Sequence, residues 1–157
     1  MKRLTELTPS VRLFPNYSGG ILPSWVPNSR VALLGDAAHT HGGAFAAGGS
    51  LALDDAFALG LAFKHAGASK STPWTATDLR QVFELYDETR RPHASRLLKI
   101  VHGATSAEPV VYNSPEEEDE ALIKRMTNRP DTTWLAEHNV EQAFSETLTR
   151  HKIQSEL

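Results

Sequence analysis

The stretch from Val31 to Leu59 constrains the fold most: VALLGDAAHTHGGAFAAGGSLALDDAFAL runs an apolar segment into a carboxylate, two histidines, five glycines and a second apolar segment. The first segment, RVALLG, is short and ends at Gly35. Periodicity alone cannot tell such a run from a piece of helix, but its length and the closing glycine predict a buried strand. From Ser50, SLALDDAFALGLAFKHAG has helix length, with Ser50 as N-cap, Asp54 and Asp55 near its start, Lys64 and His65 near its end, and a stop at Gly67. It is apolar on nearly every face, which predicts burial.

A strand feeding a helix through a glycine-rich loop gathers backbone N–H groups at one point. A helix N-terminus carries unsatisfied donors and partial positive charge, so that point suits an anionic ligand. Gly48 and Gly49 precede the expected cap, where the missing Cβ lets a flat or charged ligand reach the main chain. On the glycines alone, a tight turn before a buried helix is the better reading. Asp36, at the strand end, must pair with donors or meet water; ligand hydroxyls or an Asx-type turn on its own backbone would both serve. His39 and His41 form an H-x-H pair of the kind metal-dependent hydrolases use, but no third ligand stands at a recognisable spacing. Asp54 and Asp55 point about a hundred degrees apart on a helix, which favours a dipole role over paired acid–base work. Arg90 and Arg91 could hold a phosphate, although an exposed helix face paired with Asp87 and Glu88 explains them better.

The rest of the chain reads as helices. The first thirty residues are punctuated by Pro9, Pro15, Gly19, Gly20, Pro23 and Pro27, leaving short extended pieces such as VRLF. Thr77 to about Val101 has helical spacing with Thr77 as cap, and Pro92 is expected to bend or break it near Arg91. SPEEEDEALIKRMTNRP starts a helix with Ser114 as cap, Pro115 at the first position and Glu117 completing a capping box. A final helix is expected from about Thr132 to Lys152, with Leu135, Val140, Phe144 and Leu148 on one side. At 157 residues with net charge −3, the chain suits one domain or part of one and offers no basic surface for nucleic acid. It has no cysteine, no apolar run long enough for a bilayer and no secretory signal, and reads as soluble and cytoplasmic.

The residues GDAAH, the loop glycine Gly48 and the helix block Asp54, Asp55 and Ala56 together resemble the second flavin-binding motif of FAD-dependent aromatic monooxygenases, with the nearest likeness to the salicylate hydroxylase-like, fungal type. DLRQVFELYDETRRPHASRLLKIVH resembles the long helix that follows in that family, and TTWLAEHNVEQAF its closing helix, so the likeness runs from about Val11 onward. The resemblance implies an α/β fold class: a C-terminal fragment of the FAD-binding fold, mostly helical as it stands, with one or two strands and about four helices. Residues 1–29 would be a remnant of substrate-domain strands and 30–157 the C-terminal part of the FAD-binding domain. It further implies that Gly35, Asp36 and Ala37 bind FAD, with Asp36 accepting from ribityl hydroxyls, and that Gly48, Gly49 and Ser50 face the pyrimidine edge of the ring. His41, Gly42, Gly43 and Phe45 would lie on the substrate side, and His39 would position the loop.

Many family members have proline where this chain has Gly43 and glycine where it has Ala46, so substrate contacts do not carry over. The G-x-G-x-x-G turn that binds the ADP part of FAD is absent from this sequence. The implied activity is NAD(P)H-dependent hydroxylation, with molecular oxygen, of a phenolic or aromatic acid such as salicylate. The other readings are an inert fragment, a fragment acting with a separate N-terminal portion, a His39/His41 metal hydrolase, and a helical interaction module.

Overall fold

The computed structural model describes residues 7, 8, 10, 12, 14–28, 30–67, 71–105, 110–128 and 130–155. Of the expected extended piece VRLF, Val11 and Leu13 lie outside these residues, as do residues 1–6, 9 and 29 of the expected segment 1–29. Among the described residues six helices follow in order: α1 (Asp36–His39), α2 (Gly48–Gly67), α3 (Ala76–Thr105), α4 (Pro115–Thr127), α5 (Thr133–Ala136) and α6 (Val140–Ser155). A short 3-10 turn, Ala44–Ala46, sits between α1 and α2. The four long helices match the expected number, and the chain is mostly helical.

Residues 31–34 belong to no strand or helix, so the strand expected of RVALLG is not formed. Among the described residues the only β pairing is an isolated antiparallel bridge between Ser18 and His41. Leu33 is tethered at both polar groups, its N–H donating to Trp25 O at 2.8 Å and its carbonyl accepting from Tyr86 Oη at 2.8 Å. These two bonds, to a loop carbonyl and a helix side chain, hold the segment in place of a strand ladder.

Helices α2, α3 and α6 pack on one another. Ala58 and Ala62 on α2 are fully buried, and their small side chains let α3 come close with Val82, Leu85 and Tyr86. Val140 and Phe144 of α6 and Trp25 from the irregular opening segment close this core. A second cluster joins Ala47, Leu51, Leu97 and Val101, with Trp134 and Leu135 against it.

Four local expectations are corrected. Helix α2 begins at Gly48, so Ser50 is inside its first turn, where its hydroxyl donates to Ala47 O at 2.9 Å, and Asp54 and Asp55 fall in the second turn. Helix α3 is capped at Thr75, not Thr77: the Thr75 hydroxyl accepts from Asp78 N–H while Asp78 accepts from Thr75 N–H, a reciprocal box that satisfies two orphan donors. Pro92 lies inside α3 without ending it, because the long apolar seam on either side holds the backbone together. The expected final helix is divided into α5 and α6 by Glu137, His138 and Asn139, with Asn139 Oδ1 accepting from Gln142 N–H to start α6. The start of α4 is as expected: Ser114 Oγ accepts from Glu117 N–H at 3.2 Å, although the Glu117 carboxylate reaches back to Asn113 N–H, one residue earlier than a strict capping box.

One departure bears on function. Helix α2 was expected to be buried all round, but Leu53 is 73% and Phe57 48% exposed. Val31 and Leu34, in the segment before α1, are exposed as well.

Candidate functional site

The junction of α1, the 3-10 turn and α2 is organised by one carboxylate. Asp55, fully buried, accepts from Gly35 N–H at 3.0 Å, from His39 Nε2 at 2.7 Å and from Arg90 Nε at 3.0 Å. Burial pushes its carboxyl upward, but the His39 hydrogen bond, the Gly35 N–H and the charges of His39 and Arg90 outweigh that and hold it below the usual carboxylate range. Arg90 is also fully buried, and its Nη2 lies 3.5 Å from Asp54 Oδ2, an ion contact without hydrogen-bond geometry. Arg90 is thus not on the exposed face expected of it, whereas Arg91 does pair with Asp87 at 3.0 Å. The neighbouring Asp87 also accepts from Trp25 N–H at 2.9 Å, and the Trp25 ring lies 5.3 Å from His39 and 5.8 Å from Tyr86.

This hub fixes the backbone at Gly35. Its φ of 55° is in the left-handed region that glycine enters without penalty. The Gly35 carbonyl accepts from both Ala38 and His39 N–H, closing α1, and the turn leaves Asp36 and Ala37 exposed at its start. His39 therefore acts as a buried brace between Asp55 and Trp25, not as a ligand at a surface.

Asp36, His41 and Gly48 converge at the head of α2. A Cβ on Gly48 would lie 3.4 Å from His41 Cε1 and 3.9 Å from Asp36 Oδ1, whereas one on Gly49 would meet nothing within 4 Å. The opening N–H groups of a helix have no intrahelical partner, so this face presents donors beside a carboxylate. His41 is buried; its Nδ1 lies 3.3 Å from His39 O, while its Nε2 has no partner. Gly42 is held from behind by Asn16 Nδ2, which donates to its carbonyl.

The loop between them is strained. Gly42 and Gly43 have φ of 67° and 72°, and Phe45 and Ala46 have φ of 59° and 52° without being glycine. A left-handed conformation costs an L-residue about 1–2 kcal/mol. Phe45, Ala46 and Ser50 line one wall of a cavity of about 470 Å³ whose other wall is Thr132, Leu135, Ala136 and His138. Asp36, Gly48, Gly49 and Ser50 thus gather at one place, with Phe45 at its rim. The sequence reading missed the Asp55–His39–Arg90 brace, and the signal available was the spacing of an aspartate on one apolar helix and an arginine on the next.

Among the described residues no three His, Cys, Asp or Glu side chains converge as a metal site. Nothing favours the hydrolase alternative for His39 and His41.

No family model matches the chain, and no solved structure matches it. Among curated proteins it is similar to the 6-hydroxynicotinate 3-monooxygenase of Bordetella bronchiseptica, with 32% identity over 105 residues, or 67% of this chain. The chain is a distant homologue of a monooxygenase. It spans about a quarter of that relative, 25% of its length. The finding supports the resemblance at the level of the general family and does not reach the salicylate hydroxylase-like, fungal type.

Proposed function

We propose that this chain forms one half of the cofactor site of an FAD- and NAD(P)H-dependent monooxygenase that hydroxylates a phenolic or aromatic acid, salicylate-like in type. The observation that carries the reading is the meeting of Asp36 and Gly48 at the open head of a twenty-residue helix. The residues fit such a cofactor. A side chain at position 48 would fill the space between His41 and Asp36, Gly49 is open, and the orphaned His41 Nε2 stands next to that space.

Bound FAD supplies electron transfer from NAD(P)H and the activation of oxygen. The chain's own residues bind and orient. Asp36 would accept from ribityl hydroxyls, an interaction that a carboxylate makes better than any neutral side chain. The N–H groups of Gly48, Gly49 and Ser50 at the head of α2 would stabilise negative charge on the pyrimidine edge of the reduced ring. The turn 42–45 would face the substrate and keep water from it.

The exposed apolar side chains Leu53 and Phe57 on α2, and Val31 and Leu34 in the segment before α1, support the second part of the reading. We assign them as the surface that packs against a polypeptide supplying the ADP-binding turn. In this reading residues 1–29 are a remnant of substrate-domain strands and 30–157 the C-terminal part of an FAD-binding domain.

The test is purification of the chain with added FAD and added zinc. The half-site reading expects a weak flavin spectrum or none; tight stoichiometric flavin would contradict it, and stoichiometric zinc would revive the hydrolase.

A further inference from the structure

Residues 132–139, holding α5 and the link to α6, supply Thr132, Leu135, Ala136 and His138 as one wall of the cavity at the head of α2, which Phe45, Ala46, Ser50 and Asp54 also line. A ring stack fastens this strap to α3. His93 of α3 and His138 of the strap lie face to face, centroids 3.7 Å apart and planes 20° from parallel. Trp134 meets His93 edge-on at 4.9 Å, and the Arg96 guanidinium covers Trp134 at 4.0 Å. The Nε2 atoms of both histidines are buried without a hydrogen-bond partner.

Such a stack holds only while the imidazoles are neutral. Protonating both would place two cations 3.7 Å apart, each with a buried, unpaired N–H. The surrounding charges do not rescue them. From α3, Arg90 and Arg96 repel, and Glu88 is engaged by His151 at 2.9 Å. From α2, Asp55 favours a protonated His93 and Asp54 a protonated His138, but both are engaged by Arg90 and are outweighed by burial and the arginines. From α6 come Glu146 and Arg150, and from the strap Glu137, which line the clefts flanking the pair. We propose that residues 132–139 form an acid-released latch, a cavity wall held shut by the neutral His93–His138 stack and opened by proton uptake on that pair. The proposal stands independently of the monooxygenase reading.

Burial, then the charges of His138, Arg90 and Arg96, push His93 down to about 3, and burial followed by Arg90 lowers His138. Once the strap lifts, a solvated histidine titrates near 6.5. The closed latch is therefore fully favoured above about pH 6.5 and loses ground as pH falls from there towards 3. At pH 5 the opening constant rises about thirtyfold through His93 alone.

Hydrogen exchange of the full chain tests this, each rate corrected for its intrinsic pH dependence. Amides 132–139 are expected to exchange about thirtyfold faster, after correction, at pH 5 than at pH 8, with the α2 and α3 amides unchanged. The double variant His93→Phe/His138→Phe keeps two stacked rings that cannot titrate, and its strap should exchange equally at both pH values. Flat wild-type exchange, a double variant that keeps the pH dependence, or α2 and α3 opening along with the strap would each overturn the latch. The wild-type imidazole resonances give a second readout that needs no variant: titration of both histidines near 6.5 with no change in strap exchange also overturns it.

Discussion

Replacing Asp55 with alanine tests whether the buried brace holds the loop. The carboxylate satisfies three donors at 2.7–3.0 Å, from Gly35, His39 and Arg90, and both it and Arg90 are fully buried. Asp55→Ala leaves the Arg90 guanidinium buried without its partner, which costs about 3–5 kcal/mol for a broken buried pair. The Gly35 N–H and His39 Nε2–H are orphaned as well, so the upper end of that range applies. Against a typical stability of about 5–15 kcal/mol the loss is a third or more of the total. Urea denaturation followed by far-UV circular dichroism measures it as a fall in midpoint at unchanged slope. A loss below about 1 kcal/mol, the scale of an exposed pair, would refute the brace. Its pH dependence gives a second check. The folded-state pKa of Asp55 is depressed, so its contribution is present above the unfolded value near 3.8 and is lost as pH falls through the lower, folded one. Asp55→Asn should flatten that acid limb.

Other perturbations follow from the backbone. Ala46→Gly removes a left-handed strain of about 1–2 kcal/mol and adds about 0.5–1 kcal/mol of unfolded-chain entropy, so the melting temperature should hold or rise by a few degrees; a clear fall would show that Ala46 is not left-handed. Pro92→Ala restores an amide inside α3 and relieves a ring clash, and should stabilise by about 1–3 kcal/mol in urea melts; a destabilised variant would mean that the proline shapes the helix in a way the packing requires. Ser114→Ala should cost α4 about 1 kcal/mol, seen as faster amide exchange confined to the first turn of that helix; unchanged exchange there would refute the cap.

Much of the helical framework was legible because local chemistry and packing agree. Ser114, Pro115 and Glu117 announce the start of α4, and the apolar positions Val82 and Tyr86 recur at helical spacing. What was not legible depends on partners distant in sequence. Arg90 looked like a surface cation because Asp87 and Glu88 stand beside it, yet its partner is Asp55, thirty-five positions away. The divided final helix escaped because the apolar pattern groups Leu135 with Val140, although five positions turn a helix about 140° past one face, and His138 between them stacks on His93. RVALLG carries a strand's composition, but a ladder needs a second strand, and none pairs with it among the described residues. At the candidate site, the glycines and Asp36 were readable, whereas the burial of His41 and the left-handed Phe45 were not.

Flavin retention by a chimera in which this chain replaces the matching segment of the Bordetella monooxygenase tests the central claim most directly. The account predicts that the chimera copurifies with FAD. It also predicts that Asp36→Ala weakens binding about tenfold or more, since a hydrogen bond to a charged group contributes about 1.5–3 kcal/mol, and that Gly48→Val abolishes it without lowering the melting temperature. A chimera that folds and binds FAD equally well with both substitutions would contradict it.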